Sequence, residues 1–233
     1  MSKSRITENI KKYTSEFVLI FISVILAFAM TEWSNSRGEK LSEDKLLTEI
    51  RNGINKDLED FTNNINGNRL SLRSVAVMRD WLNQKEVPQD SIAVYYSILF
   101  RNYAPIINKS GYESLKSTNL KTITNDSLRS EIITLYDYHY KILETLENDT
   151  EEMQEFKNFY KPINSLLFPY MEFSEEGRLL KLKPALALTE NQKKEIMSYL
   201  WQIEFHRKFK LLRYKDVMKA IRKLDKNISQ NLK

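Results

Sequence analysis

The uncharged run Phe17-Val-Leu-Ile-Phe-Ile-Ser-Val-Ile-Leu-Ala-Phe-Ala-Met30 constrains this chain more than any other feature, and Ser23 is its one polar residue. Apolar surface on that scale is not left in water, so the segment is buried in protein, inserted in lipid or removed. Tyr13 and Trp33 flank it in the way aromatic anchors mark the two interfaces of a bilayer. From one aromatic to the other a helix reaches about 31 Å, close to the roughly 30 Å of a hydrocarbon core. Glu16 and Glu32 lie inside those anchors. The uncharged stretch between them covers only about 22 Å, so a span sets both carboxylates at headgroup depth or thins the bilayer locally.

We read residues 13–33 as a transmembrane helix. Two rivals pass the same test: a cleaved signal peptide, built on Lys11-Lys12, the apolar run and Ala27-Phe28-Ala29, and a buried helix of a soluble protein. The N-terminal tail carries Lys3, Arg5, Lys11 and Lys12 against Glu8, whereas Arg37, Lys40 and Lys45 follow Trp33. By the positive-inside rule this narrow excess makes residues 1–12 a short basic cytoplasmic tail and residues 34–233 an extracytoplasmic domain. The expected topology is therefore a membrane crossed once, with the C-terminal domain outside the cytoplasm.

Five glycines, five prolines and 42% hydrophobic residues point to an all-α chain with a real core, and the absence of cysteine removes thiol catalysis, thiolate zinc and disulfides together. The periodicity agrees. Leu47, Arg51, Ile54, Leu58, Phe61, Ile65, Asn68, Leu72, Val75, Arg79 and Leu82 alternate by four and three, which predicts a stalk helix continuing from the membrane segment into a coiled-coil-like bundle. Gly53 and Gly67 mark sites for a kink or break, since each weakens a helix by about 1 kcal/mol relative to Ala. A shorter helix is predicted from Ser91 to Arg101, ahead of Pro105.

A second seam, Leu128, Ile132, Leu135, His139, Ile142, Leu146, Asp149, Met153, Phe156 and Tyr160, predicts one helix running to Pro162. Residues 170–183 contain two short apolar segments around Glu175-Glu176-Gly177 and suggest a small β-hairpin. Thr189 and Gln192 form a capping box opening a last helix with Leu200, Ile203, Tyr214, Val217, Ile221, Leu224 and Ile228 on one seam. Trp201, Phe205, Phe209 and Leu212 form another stripe, so this helix is expected to have two neighbours. Residues 131–161 carry a net charge of −5 and residues 193–233 a net charge of +8. These segments are expected to pack side by side, Glu144, Glu147, Glu151 or Glu155 facing Lys208, Arg213, Lys215, Arg222 or Lys226.

Two stretches carry a resemblance. Glu16 and the apolar run after it, closed by Trp33-Ser-Asn-Ser-Arg37, and then Gly111-Tyr-Glu-Ser-Leu-Lys-Ser-Thr118 with Ile123-Thr-Asn-Asp-Ser-Leu-Arg129, resemble a family of bacterial single-pass membrane proteins known only as a domain of unknown function. The resemblance implies an inner-membrane anchor and a helical domain outside the cytoplasm. It carries over no catalytic residue, and no cofactor is expected from the residues themselves.

The chain shows no phosphate-binding glycine loop, no nucleophile elbow and no His-Glu-x-x-His or EF-hand pattern. Its two histidines are far apart, so no zinc site is expected, and Glu147, Glu151 and Glu155 read as a solvated or paired helix face before a cation site. His139 reads as a polar insertion fixing the register of a seam, or as a ligand group. Tyr95, Tyr96, Phe100, Arg101, Tyr103 and Tyr112, with His139, make the candidate partner or ligand surface; the alternative is that these aromatics fill a core. Ser23 and Ala27 form a small-xxx-small pair suited to helix association in lipid. The expected role is a non-enzymatic scaffold or partner-binding protein, partnered by the bilayer and by another protein or a second copy through its long helices, with no nucleic acid. A ligand-sensing domain signalling through a membrane partner is the alternative.

Overall fold

The computed structural model describes residues 3–149 and 153–232, with side chains for residues 16–148 and 153–232. The side chains of Tyr13, Asp149 and Glu151 thus lie outside the described residues. Helix α1 (Lys3–Leu82) is unbroken from the apolar run Phe17–Met30 through the predicted stalk, a length of about 120 Å. Residues 16–42 are exposed along its whole circumference, and packing begins at Glu43, Leu46 and Leu47. Within the exposed part lies the one described helix segment long and apolar enough to cross a membrane, with a mean hydropathy of 2.0. α1 ends in a Schellman turn: Lys85 N–H bonds to Asp80 C=O, Gln84 N–H bonds to Trp81 C=O, and Gln84 takes φ 60°.

The chain then forms a 3₁₀ turn at Gln89–Ser91, α2 (Ile92–Leu99), an irregular strap from Arg101 to Lys109, and α3 (Ser110–Thr118). α4 (Asp126–Ile133) opens on an Asn125 cap whose side chain accepts from Leu128 N–H. It is followed by a π-helical segment, Thr134–Tyr140, by α5 (Lys141–Glu144) and by a second π segment, Thr145–Asp149. A third π segment, Phe156–Tyr160, leads into α6 (Lys161–Leu167). β1 (Met171–Phe173) pairs antiparallel with β2 (Leu179–Leu182), Gly177 turning at φ 78°, and α7 (Glu190–Asn231) closes the chain behind the predicted capping box. The protein is all-α with a small hairpin.

α1 shows no break at Gly53 or Gly67. These glycines instead let the strap lie flat on α1: Tyr103 covers Gly67 so closely that a Cβ there would enter its ring, and a Cβ at Gly53 would sit 3.3 Å from Asn108 Oδ1. Gly111 performs the same service for α3, where a Cβ would lie 2.8 Å from the Ile50 backbone nitrogen.

The second seam also departs from its prediction. Leu128, Ile132 and Leu135 face the core as expected, but beyond them Tyr136, Tyr140 and Leu143 are buried while Ile142 and Phe156 are exposed and His139 is half-buried. A π segment spends more residues per turn than an α-helix, so each one rotates the following residues relative to a heptad drawn through the sequence. The last seam holds throughout, with Leu200, Ile203, Tyr214, Val217, Ile221, Leu224 and Ile228 all buried.

Two apolar cores result. The proximal core, nearer the apolar run, joins Leu47, Ile54 and Phe61 of α1 with Tyr112, Leu115, Ile132, Tyr140 and the C-terminal half of α7. The distal core joins Val75, Met78 and Trp81 with Ile92, Leu99, Phe159, Ile163, Leu182 and the N-terminal part of α7. The hairpin docks on it through Trp81, whose indole N–H donates to Lys183 C=O at 2.9 Å.

Candidate functional site

Between the two cores the bundle is polar inside. Asn68, Ser71 and Ser74 of α1 and Arg207 and Lys210 of α7 are buried at this level, with Glu155. Arg207 and Lys210 occupy the gap in the last seam between Ile203 and Tyr214, at the same four-three spacing as the apolar residues around them. That spacing was the available signal, and reading only apolar residues into the seam passes over it. Once the helix buries its neighbours, it buries these two cations as well.

Their charges are met from three directions. Arg207 donates from Nη1 to Asn68 Oδ1 at 3.0 Å and from Nη2 to the Arg101 carbonyl at 2.7 Å. Lys210 Nζ donates to Glu147 Oε2 at 2.9 Å and to Asn102 Oδ1 at 3.1 Å. The Tyr214 hydroxyl donates to Glu147 Oε1 at 2.5 Å and sits 2.8 Å from the Tyr103 carbonyl oxygen. Burial, followed by the charge of Glu147 and its hydrogen bond, holds that phenol protonated far above the ordinary range. The Glu155 carboxylate lies 3.6 Å from Arg207 Nε and 3.7 Å from Lys210 Nζ, beyond hydrogen-bond range of both. Two cations and two carboxylates therefore balance inside the bundle. The expected pairing of acidic and basic segments is present, with Glu147 and Glu155 as its buried acids, but the bases they meet are Arg207 and Lys210, and at the surface Glu131 pairs with Lys223. Of the bases expected there, Lys208 pairs with Glu204 and Arg213 with Asp216 on α7 itself. Glu144 pairs with Lys109 of the strap.

A second polar group lies nearer the apolar run of α1. Asp57, fully buried on α1, accepts from Tyr140 OH at 2.6 Å and from Asn108 N–H at 2.9 Å, and Asp60 accepts from Ile106 N–H at 2.7 Å. Burial raises the Asp57 carboxyl above its usual range, with the two hydrogen bonds opposing that shift. Glu43 does similar work lower down, accepting from Thr124 N–H at 2.9 Å. These carboxylates satisfy backbone donors of irregular chain that has no helix or sheet partner. Around Asp57 the rings are ordered: Tyr112 stacks on Tyr136 at 4.4 Å, and Tyr136 meets Tyr140 edge-on at 5.2 Å.

The candidate surface drawn from sequence is thereby divided. Tyr95, Tyr96 and Phe100 are buried, the latter two in the distal core, and Tyr112 is buried in the proximal one. Tyr103 is a strap residue pressed on Gly67, and Arg101 is exposed. His139 lines a separate cavity of about 300 Å³ with Glu131, Leu135, Ala220 and Lys223. These residues do not form one surface. Trp33 is exposed, with the Arg37 guanidinium 5.6 Å above its ring. Among the described residues, no group of three or more His, Asp and Glu side chains is placed to hold a metal ion.

Comparison with family models, with curated proteins and with solved structures finds no match to this chain.

Proposed function

We propose that this protein is a single-pass, membrane-anchored scaffold of the bacterial envelope, its N-terminal tail cytoplasmic and its helical bundle presented outside the cytoplasm to a protein partner, without catalytic activity. One observation carries the reading: the apolar segment Phe17–Met30 has every side chain exposed and runs without a break into the helix that organises both cores. A core helix of a soluble protein would be covered, and here none of that apolar window is. Continuity with the bundle also argues against a removable leader, because α1 lends the bundle its longest face. Trp33 with Arg37 beside it suits the membrane–water boundary.

The polar interior supports a scaffold over an enzyme. Asp57 ties α1 to the strap, Arg207 ties α7 to α1 and the strap, Glu43 ties α1 to Thr124 ahead of α4, and Glu147 and Lys210 tie the second π segment to α7. The sensor reading rests on a cavity of about 360 Å³ over the stacked Tyr112 and Tyr136, rimmed by Lys109, Lys116, Lys141, Asp137 and Glu144. Part of its rim is already internally paired, Lys109 to Glu144 and Tyr112 OH to Asp137, which makes it the weaker reading.

Reporter fusions after residue 233, combined with carbonate extraction of membranes, test the proposal. Alkaline phosphatase activity with a carbonate-resistant chain is expected. A fusion active only as a cytoplasmic reporter, or a chain released by carbonate, would overturn it.

A further inference from the structure

α7 is apolar on two sides, and the bundle covers one of them. On the other, Trp201, Phe205 and Leu212 are 60%, 58% and 61% exposed, one above the next along the helix, while Phe209 at the edge of the stripe lies under the Arg213 guanidinium at 5.0 Å. Trp201 and Phe205 stack with centroids 6.0 Å apart and, with Phe159, line a groove of about 450 Å³ between α7 and the π segment Phe156–Tyr160. An aromatic pair standing free in water beside a groove is costly surface for a monomer to keep.

Position excludes the protein's own bilayer as the cover. Glu204 of α7 is ion-paired with Arg79, close to the far end of α1. The helix from Trp33 to Arg79 rises about 70 Å at 1.5 Å per residue, so the stripe stands well beyond reach of the lipid that holds the anchor. Charge then separates the remaining occupants. Lys208, Lys215 and Lys219 are exposed on the same face of α7, and Arg69, Lys215 and Arg222 line a basic groove of about 260 Å³ where α7 meets α1. Lys215, Lys219 and Arg222 make no ion pair among the described residues. A second copy anchored in the same membrane would bring this face against itself at equal height, setting like charges opposite one another.

We propose that the outer face of α7 is the docking site for an acidic amphipathic helix of a different protein. Its apolar residues would lie on Trp201, Phe205 and Leu212, one of them entering the Phe159–Trp201–Phe205 groove, and its carboxylates would lie over Lys215, Lys219 and Arg222. This is helix-on-helix recognition with i, i+4 anchors and a charged rim that selects the partner. It rests on the scaffold reading and adds to it the place and chemistry of the partner.

Photo-crosslinking in the full-length chain in its native cells tests it, with benzoyl-phenylalanine introduced at Phe205 and, as an equally exposed control, at Leu180 on the hairpin. The expected result is an adduct at least tenfold stronger from position 205, joined to a peptide of another protein with Asp and Glu flanking apolar residues at helical spacing. That adduct should fall at least fivefold in a Lys215→Glu/Lys219→Glu background whose thermal melting is unchanged, with Lys215→Ala/Lys219→Ala intermediate. An adduct to a second copy of the chain, an adduct to lipid, a yield no higher than at Leu180, or indifference to the charge reversal would each overturn the proposal. Carbonate extraction of the same cells keeps the two readings apart: a chain that stays in the membrane but fails at position 205 loses only this inference.

Discussion

Arg207 on the last helix donates to Asn68 on the first at 3.0 Å, and that contact sits where the two apolar cores meet. Each core is continuous by itself, so the polar belt between them fixes how α7 is set against α1 along its length. A buried charge cluster of this kind specifies register more than it adds stability, because desolvation offsets most of the Coulomb attraction.

Truncation of one partner should therefore cost more than removal of the pair. Arg207→Ala leaves Glu155 buried with only Lys210 beside it, at an expected loss of about 3–5 kcal/mol. Arg207→Met combined with Glu155→Leu removes one charge of each sign and should lose markedly less than Arg207→Ala. Urea unfolding of wild type and the two variants checks this; a double variant as unstable as Arg207→Ala, or more so, would overturn the expectation.

Gly67 is expected to resist the substitution that helix propensity favours. Alanine gains about 1 kcal/mol in an exposed helix interior, but its Cβ here would collide with Tyr103, and overpacking of this sort costs about 1–3 kcal/mol. Gly67→Ala should thus be destabilised, and Gly38→Ala, with nothing within 4 Å, should not. Thermal melting of the two variants gives the comparison directly.

The rotation introduced by the π segment Thr134–Tyr140 can be read from adjacent residues. Tyr140→Phe strips buried Asp57 of a 2.6 Å hydrogen bond and should cost about 1–3 kcal/mol. His139→Ala, at a half-buried position facing a cavity, should stay within about 0.5 kcal/mol of wild type. The reverse order of effects would restore the uninterrupted heptad.

Gln84 occupies the left-handed position of the Schellman turn at φ 60°, where a Cβ is penalised. Gln84→Gly should raise the stability of the bundle, by up to about 1 kcal/mol, as long as the hydrogen bond from Lys85 N–H to Asp80 C=O persists. Denaturant midpoints suffice to test it.

Asp57 should give the pH profile a distinctive limb. Its folded pKa is raised above the unfolded 3.8 by burial, so the folded state holds this proton more tightly. The stability it contributes is present below pH 3.8 and is lost as pH rises through the higher folded value. Glu204 acts in the opposite sense: hydrogen bonds from Lys208 and then Arg79 outweigh its burial and lower its pKa below 4.5, so its contribution is lost as pH falls through that lower value. Asp57→Asn should remove the loss on the rising side, and Glu204→Gln should flatten the acid side. Unfolding free energies measured between pH 3 and 7 would show both; an Asp57→Asn chain with the wild-type profile would exclude a raised carboxyl.

The apolar run, the capping box at Thr189 and the last seam could all be read from the chain alone, because each depends on neighbours within one or two turns of the same helix. The pairing of acidic and basic segments was readable only as a tendency. Net charge per segment draws Glu147 and Glu155 towards α7, but which bases they meet depends on which face of α7 is buried, and burial selected Arg207 and Lys210. The aromatic residues between Tyr95 and Tyr112 were ambiguous for a like reason, since the same side chains suit a core and a recognition surface.

The sequence by itself therefore determined that this chain is helical, where its membrane-competent segment lies and how its last helix begins, all consequences of local periodicity and hydropathy. Only the tertiary structure decided that Gly53, Gly67 and Gly111 are contact points for the strap and for α3, that π segments turn Tyr140 inward in place of His139, and that Trp201 and Phe205 are left uncovered. Each of those depends on what another part of the chain brings into contact, and no short-range pattern encodes that.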